Sequence, residues 1–373
     1  MGAAGWAFVP AIRGNLAFEL AAIAEPDPAM RETAVTETGA VPYSDLPSML
    51  RDAKLDAIYV ATPTELHPDH VAQVCAAKKH VLTEKPMAIR VEQAQQMVEA
   101  AERAGVVLQV GHSHSYDLPI ARMREIVASG ALGRVRMIHT WNFTDWMARP
   151  RRAAELDIGQ GGGVTYRQGA HQIDILRLLG GGLVKSVRAT TFDWDASRRS
   201  IGAHTIFLNF TDGTAATAIY NGYGRLSAAE LTGGVGEWGL EEKPRGETKP
   251  AAALSPEQEL AVKRKRARTA IPANAPHQPH FGLTLVSCER GDIRQSPDGL
   301  LVYSDQGREK IALPKDKSPR DLVIAEFADA VSGMATTHTG RWGVANLEVC
   351  TAAIESSRTG REIELKHQVA VAK

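Results

Sequence analysis

Two short segments of this chain bring together residue types that exchange protons. The first is Glu84-Lys85-Pro86, which follows the apolar run His80-Val-Leu-Thr83. A lysine at the end of a buried strand loses hydration, and that lowers its amine toward neutrality and makes it a candidate general base. A surface lysine after a strand would read the same way, so the triplet depends on its context. The second is Gly161-Gly-Gly-Val-Thr-Tyr-Arg167-Gln-Gly-Ala-His171-Gln-Ile-Asp174. Its glycines let backbone approach a ligand, and a helix starting near Gln168 would put His171 and Asp174 on one face. Asp174 is expected to hold the imidazole by a hydrogen bond, leaving the other ring nitrogen free for proton transfer. A buried structural histidine is the alternative.

The elements around Lys85 form a βαβ pattern. Apolar runs at 57–61 and 80–83 bracket a segment with helical spacing (Val71, Val74, Cys75). Each run ends in a proline, Pro63 or Pro86, which keeps the preceding residues extended at the carboxyl edge of a parallel sheet, where ligands bind in open α/β folds. Thr62, Pro63 and His67, with Glu84, Lys85 and Pro86, are therefore candidate cofactor contacts. Upstream, Gly2 and Gly5 fit the second and third glycines of a dinucleotide fingerprint, and Glu25 fits the acid that takes a ribose 2′-hydroxyl. The first glycine and first strand of such a unit have no counterpart, so the natural polypeptide is expected to begin upstream of Met1. A glutamate at position 25 repels a 2′-phosphate, so NAD is expected over NADP.

In this setting the Glu-Lys-Pro triplet resembles the Gfo/Idh/MocA family of nicotinamide-dependent oxidoreductases, and the 161–174 segment resembles the same pattern. The resemblance implies that Lys85 is catalytic, with His171 sharing the proton or orienting a hydroxyl, and that hydride passes from a hydroxyl-bearing carbon to the nicotinamide. Two departures bear on substrate. Arg167 stands where the family usually has an Asp that would bind a polyol, and a guanidinium suits a carboxylate instead. His114 and Ser115 replace residues that are usually Asn and Arg, so His112 and His114 are candidate substrate contacts. Arg149, Arg151 and Arg152 add positive charge, and Trp141, Asn142, Phe143 and Trp146 add aromatic and polar surface. The stretches 111–117, 140–145 and 286–294 resemble the phthalate 4,5-cis-dihydrodiol dehydrogenase branch, which implies a small, carboxylated cyclic diol as substrate. A sugar or polyol dehydrogenase and a non-catalytic NAD-binding regulator are the competing readings.

With 373 residues and 44% hydrophobic content the chain can form about two domains. The expected architecture is α/β plus α+β. A Rossmann-type domain, its first strand missing, spans residues 1–114, and an open-faced antiparallel sheet domain for substrate and oligomerisation spans 115–373. Residues 240–280 read as a loop or mobile insert, and their basic run 263–268 as a solvated face. Balanced charge, 43 basic against 43 acidic residues, favours a small-molecule partner over nucleic acid or membrane. Three dispersed cysteines without a C-x-x-C pair fit a reducing cytoplasm and give no zinc site. His112 and His114 lack a neighbouring carboxylate cluster, so no metal is expected. An uncovered sheet face would make the protein a homodimer or homotetramer.

Overall fold

The computed structural model describes residues 1–244, 254–266, 269, 272 and 275–372. No strand precedes the first helix, α1 (Ala3–Gly14), among the described residues. After it come β1 (Ala22–Ala24), α2 (Pro28–Thr38), β2 (Val41–Tyr43) and α3 (Leu46–Asp52). Of the apolar run at 18–24 only the last three residues form a strand, paired in parallel with β2. Asp27 starts α2 by accepting from the backbone N–H groups of Ala29 and Met30, which satisfies donors that have no partner inside the helix.

The βαβ unit forms as the periodicity predicts. Strands β3 (Ala57–Val60), β4 (His80–Thr83) and β5 (Leu108–Val110) pair in parallel, with α4 (His67–Ala76) and α5 (Val91–Ala104) as crossovers. Helix α5 buries Ala94, Met97, Val98 and Ala101 at helical spacing and ends on Gly105, whose φ of 67° only glycine adopts without strain. The parallel sheet is thus in two pieces, β1-β2 and β3-β4-β5.

The rest of the chain builds a nine-stranded sheet. Helix α6 (Leu118–Ser129) leads into β6 (Val135–Phe143), and three helices follow: α7 (Ala153–Leu156), α8 (Val164–Arg167) and α9 (Gly169–Leu179). Then come β7 (Val184–Phe192), β8 (Ala203–Phe210), β9 (Ala215–Asn221) and helix α10 (Pro256–Arg266). The chain continues with β10 (Leu283–Cys288), β11 (Gly291–Ser296), β12 (Gly299–Ser304), β13 (Gly307–Ala312), α11 (Pro319–Val331), α12 (Gly340–Thr359) and β14 (Ile363–Glu364). The order is β13-β12-β11-β10-β6-β9-β8-β7-β14. The sheet is mixed rather than wholly antiparallel, because β6 and β9 pair in parallel at its centre. That pairing joins strands separated by helices and a further hairpin, so no local turn signal announces it. The insert also differs from expectation: its residues 256–266 are helical, and the part of that expectation that falls on positions 245–253 lies outside the described residues.

One face of the sheet is covered by α9 and α12, and the other leaves Met137, Trp141, Phe192 and Phe207 between 40% and 47% exposed. The C-terminal helices reach back to the first domain. Gly340 and Gly343 of α12 pack so closely that a Cβ there would lie 2.9 Å from Leu108 and 2.5 Å from Val110. No helix among the described residues is long and apolar enough to cross a membrane.

Candidate active site

The carboxyl ends of β3 and β4 are tied together by His67. Its Nε2 lies 2.9 Å from the Thr62 carbonyl, and its Nδ1 lies 3.1 Å and 3.2 Å from those of Pro86 and Met87. The ring is buried and both nitrogens are engaged with backbone, so His67 shapes the cofactor edge rather than facing it. Thr62 Oγ1 lies 3.0 Å from His70 Nδ1. Glu84 accepts from the Tyr59 hydroxyl at 2.7 Å and from the Lys85 backbone N–H at 3.2 Å, which orients the strand end. The peptide between Lys85 and Pro86 is cis.

Lys85 leaves this edge and points into the second domain, where its Nζ donates to the Arg167 carbonyl at 3.3 Å. Burial lowers its pKa to about 8; Glu84 opposes the shift, and the Arg167 charge adds to it. His171 lies within reach of that charge. Burial first, then Lys85 and His114, hold its ring well below the ordinary histidine value, and its Nδ1 is buried without a partner. His171 is thus neutral, with one nitrogen free.

The pairing expected between His171 and Asp174 does not form. Both sit on α9, but Asp174 accepts from Trp342 Nε1 at 2.6 Å and lies 3.7 Å from His338 Nε2. His338 in turn contacts Glu326 at 3.0 Å and the Tyr116 hydroxyl at 2.8 Å. Burial opposes protonation of His338, but Glu326 and Asp174 outweigh it and raise its pKa to about 10. Two residues from α12 and the turn before it have claimed the carboxylate. Three positions along one helix bring side chains to the same side, but they do not prevent a distant segment from reaching one of them first.

His114 stands between the two domains' contributions. Its ring is 4.6 Å from that of His171, edge-on, and 4.3 Å from Phe281, stacked. Its Nδ1 meets Asp117 at 3.1 Å and its Nε2 meets Glu237 at 3.4 Å. Burial would depress this ring, but the two carboxylates reverse the sign and its pKa is raised. His112 is fixed differently. Arg177 Nη1 donates to Asn346 Oδ1, so the Asn346 amide nitrogen faces His112 Nε2 at 3.2 Å. That nitrogen must accept, which leaves the proton on Nδ1, a buried donor with no partner. Burial lowers the His112 pKa to about 4.

Arg167 donates from Nη1 to Thr64 Oγ1 at 3.0 Å, while its Nε and Nη2 are buried and unpaired. Arg149 is held by Asp145 at 2.7 Å. Asn142 faces inward on β6, beside Thr140, whose carbonyl accepts from Gln172 of α9. Trp141 points the other way, as alternation along a strand requires, and lies 40% exposed on the open face, outside this cluster. Glu237, Trp238, Phe281 and Arg320 were not singled out from sequence. The cluster of glycines at 233–239 marked a turn around Glu237, but nothing local tied it to His114.

The first domain suits a dinucleotide. Helix α1 has Gly2 before it, no acidic residue in its first turn and Gly5 where a Cβ would lie 3.2 Å from Met1 Sδ. Glu25, at the end of β1, is buried and accepts from the Asp27 backbone N–H at 3.0 Å. A helix N-terminus and an acid are the features that hold a pyrophosphate and a ribose in dinucleotide-binding units, and here the Glu25 carboxylate is paired with the Met1 ammonium. Among the described residues, no group of three or more His, Cys, Asp or Glu is arranged to hold a metal.

A Rossmann-type unit presenting a depressed lysine to a second domain's histidines is the architecture of a nicotinamide-dependent oxidoreductase. Comparison with known proteins bears this out. Residues 1–112 match the oxidoreductase family model described as an NAD-binding Rossmann fold, and residues 120–228 match the GFO/IDH/MocA C-terminal domain. The chain is 35% identical to the 1-carboxy-3-chloro-3,4-dihydroxycyclohexa-1,5-diene dehydrogenase of Comamonas testosteroni, over 96% of this chain and 93% of that one. It is 28% identical to the rhizopine catabolism protein MocA of Rhizobium meliloti, over 51% of this chain and 58% of the relative. A crystal structure of a Bordetella bronchiseptica RB50 protein described as a dehydrogenase superposes with a TM-score of 0.89 at 35% identity, covering 98% of both chains. The WlbA dehydrogenase of Bordetella pertussis, in complex with NADH and UDP-GlcNAcA, shares the fold with a TM-score of 0.70 at 23% identity, covering 97% and 95%. The chain belongs to the Gfo/Idh/MocA oxidoreductase family.

Proposed function

We propose that the protein oxidises a carboxylated cyclic cis-diol with NAD. Bound NAD supplies the hydride acceptor. Lys85, its amine depressed to about 8 by burial, takes the hydroxyl proton as the carbon gives up hydride. His171 offers its unpaired nitrogen to the same hydroxyl, and His112 offers an N–H. The ketone formed from a ring diene-diol tautomerises to a catechol, and aromaticity carries the reaction forward.

The observation that carries the choice of substrate is Arg167. Two adjacent guanidinium donors, Nε and Nη2, lie buried with no partner, and the charge of this guanidinium is felt by Lys85. A buried unpaired donor costs free energy, and a carboxylate accepts such a fork bidentately. The full-length similarity to the Comamonas testosteroni dehydrogenase, whose name specifies a carboxylated ring diol, supports the same reading. Glu25 favours NAD over NADP, because its carboxylate would oppose a 2′-phosphate. The apolar open face of the large sheet is the surface on which a homodimer or homotetramer would pack, and Trp141 belongs to that face.

NADH formation with a panel of cis-dihydrodiols bearing or lacking a ring carboxylate, alongside sugars and inositols, tests the proposal. Turnover of the carboxylated diols at the highest kcat/KM supports it. Preference for a neutral sugar would replace it with a polyol dehydrogenase.

A further inference from the structure

The pocket that this reading assigns to an anionic substrate already contains a carboxylate. Glu237 lies at the middle of a strap, residues 233–242, that crosses from the second domain over His114. Its Oε1 is 3.4 Å from His114 Nε2, and its side chain is 21% exposed. Its charge is felt by Lys85 and opposes the burial-driven fall of that amine, and it reinforces the positive charge of Arg149. The next residue, Trp238, lies 5.6 Å from the His114 ring, with the Arg320 guanidinium 5.5 Å from its centre.

Three glycines shape the backbone of the strap. Gly233, Gly234 and Gly239 adopt φ of 74°, 82° and 73°. It closes on itself through Gly236 N–H to the Leu240 carbonyl at 2.9 Å and Glu242 N–H to the Gly234 carbonyl at 2.8 Å. Val235, fully buried, anchors one end. The strap is tied to its surroundings by the Gly234 N–H on the Ala229 carbonyl at 2.8 Å, the His277 N–H on the Gly239 carbonyl and the His280 N–H on the Gly236 carbonyl at 3.2 Å each, the Ser227 hydroxyl on Glu242 at 2.9 Å, and Glu237 on His114.

Charge bookkeeping then sets the problem. Arg149 is paired with Asp145, and His114 with Asp117 and Glu237, so a substrate carboxylate entering this pocket meets Glu237 as a like charge in a site of low dielectric. We propose that Glu237 is a resident anion that guards the pocket, seated on His114 until a substrate whose carboxylate is bound for the Arg167 fork displaces it together with the strap. The inference rests on the anionic-substrate reading above. It makes Glu237 a specificity-determining residue: it satisfies His114 when the pocket is empty, and its displacement is the cost that any anion must meet.

The test compares the full-length protein with Glu237→Gln, which keeps the shape and a hydrogen-bond acceptor for His114 but removes the charge. With saturating NAD, the ratio of kcat/KM for a carboxylated cis-dihydrodiol to that for its uncharged counterpart should rise about tenfold, the size expected of one like-charge contact of ~1.4 kcal/mol. A ratio that is constant or falls overturns the proposal and makes Glu237 a partner of the diol instead. A second arm needs neither turnover nor the variant's full stability. Benzoate, added to the NAD-loaded unmodified protein, should bind and should speed amide hydrogen exchange in residues 233–242 as the strap is released. Slower or unaltered exchange at bound benzoate overturns the proposal. If neither diol is oxidised but benzoate releases the strap, the substrate assignment fails while the role of Glu237 stands.

Discussion

Removing the Lys85 amine is the most direct perturbation of the proposed chemistry, and its size follows from the environment of the side chain. A lysine at its ordinary value of 10.5 would be neutral at pH 7 in about 3 molecules in 10⁴, whereas at about 8 the fraction is about one in ten, a gain of roughly 300-fold in competent base. In the direction of alcohol oxidation, kcat/KM at saturating NAD should therefore climb about tenfold per pH unit and level off at or below about pH 8, since a cationic nicotinamide lowers the amine further. Lys85→Met should cost about 10² to 10⁴ in kcat and abolish that limb, with NAD affinity measured by fluorescence titration held within a few-fold. Neighbouring charges fix the sign of two smaller shifts. Glu84→Gln removes a charge that raises the Lys85 pKa and should move the limb acidward, and Arg167→Leu removes one that lowers it and should move the limb alkaline. The assay is initial-rate NADH formation from pH 6 to 10 in constant ionic strength. A Lys85→Met enzyme that keeps both its rate within tenfold and its pH limb refutes the assignment of the base.

His338 carries a raised pKa, so its contribution to stability is complete below the unfolded value of about 6.5 and is lost as pH rises toward about 10; thermal melts should fall over that window, by up to about 1.4 kcal/mol per pH unit, and His338→Gln should flatten the fall. Glu25→Ala should raise kcat/KM with NADP relative to NAD by about tenfold, one charge contact of ~1.4 kcal/mol, and an unmoved ratio removes Glu25 from the ribose site. Glu259 ties α10 down by accepting from Arg198 at 2.5 Å and 2.8 Å and from the Arg151 backbone N–H at 2.6 Å; Glu259→Ala should speed tryptic cleavage within residues 263–266, read by mass spectrometry.

What local periodicity carries was legible. The helix at 91–104 has an apolar stripe and a terminating glycine, and the strands at 57–60 and 80–83 are short apolar runs between turn residues, so pattern and structure agree there. Strand β11 was missed because Gly291-Asp-Ile-Arg-Gln-Ser296 is polar and its burial comes only from lying between β10 and β12. Helix α10 was missed because its mixed charges have no apolar stripe; ion pairs to Glu155, Arg198 and Asp27 hold it in place. At the site, the residues contributed by strand ends and by α9 could be found from motif and spacing. Glu237, His338 and Trp342 could not, since their place is set by contacts across more than a hundred residues of chain.

The loss of Asp174 to Trp342 and His338 changes the expected chemistry in a definite way. Had Asp174 bonded His171, its charge would have pulled the imidazole toward the protonated state, and Lys85 would then face a second cation in a buried site. Instead, the Asp174 charge is matched by a protonated His338, which is itself matched by Glu326. The charges that weigh on His171 are those of Lys85, His114 and Arg320, and they push it toward neutrality. A neutral imidazole beside the depressed amine can donate its N–H to the substrate hydroxyl oxygen without competing with Lys85 for the hydroxyl proton. The C-terminal helix therefore acts on the reaction through electrostatics: by engaging one carboxylate it decides which of two adjacent bases remains the stronger.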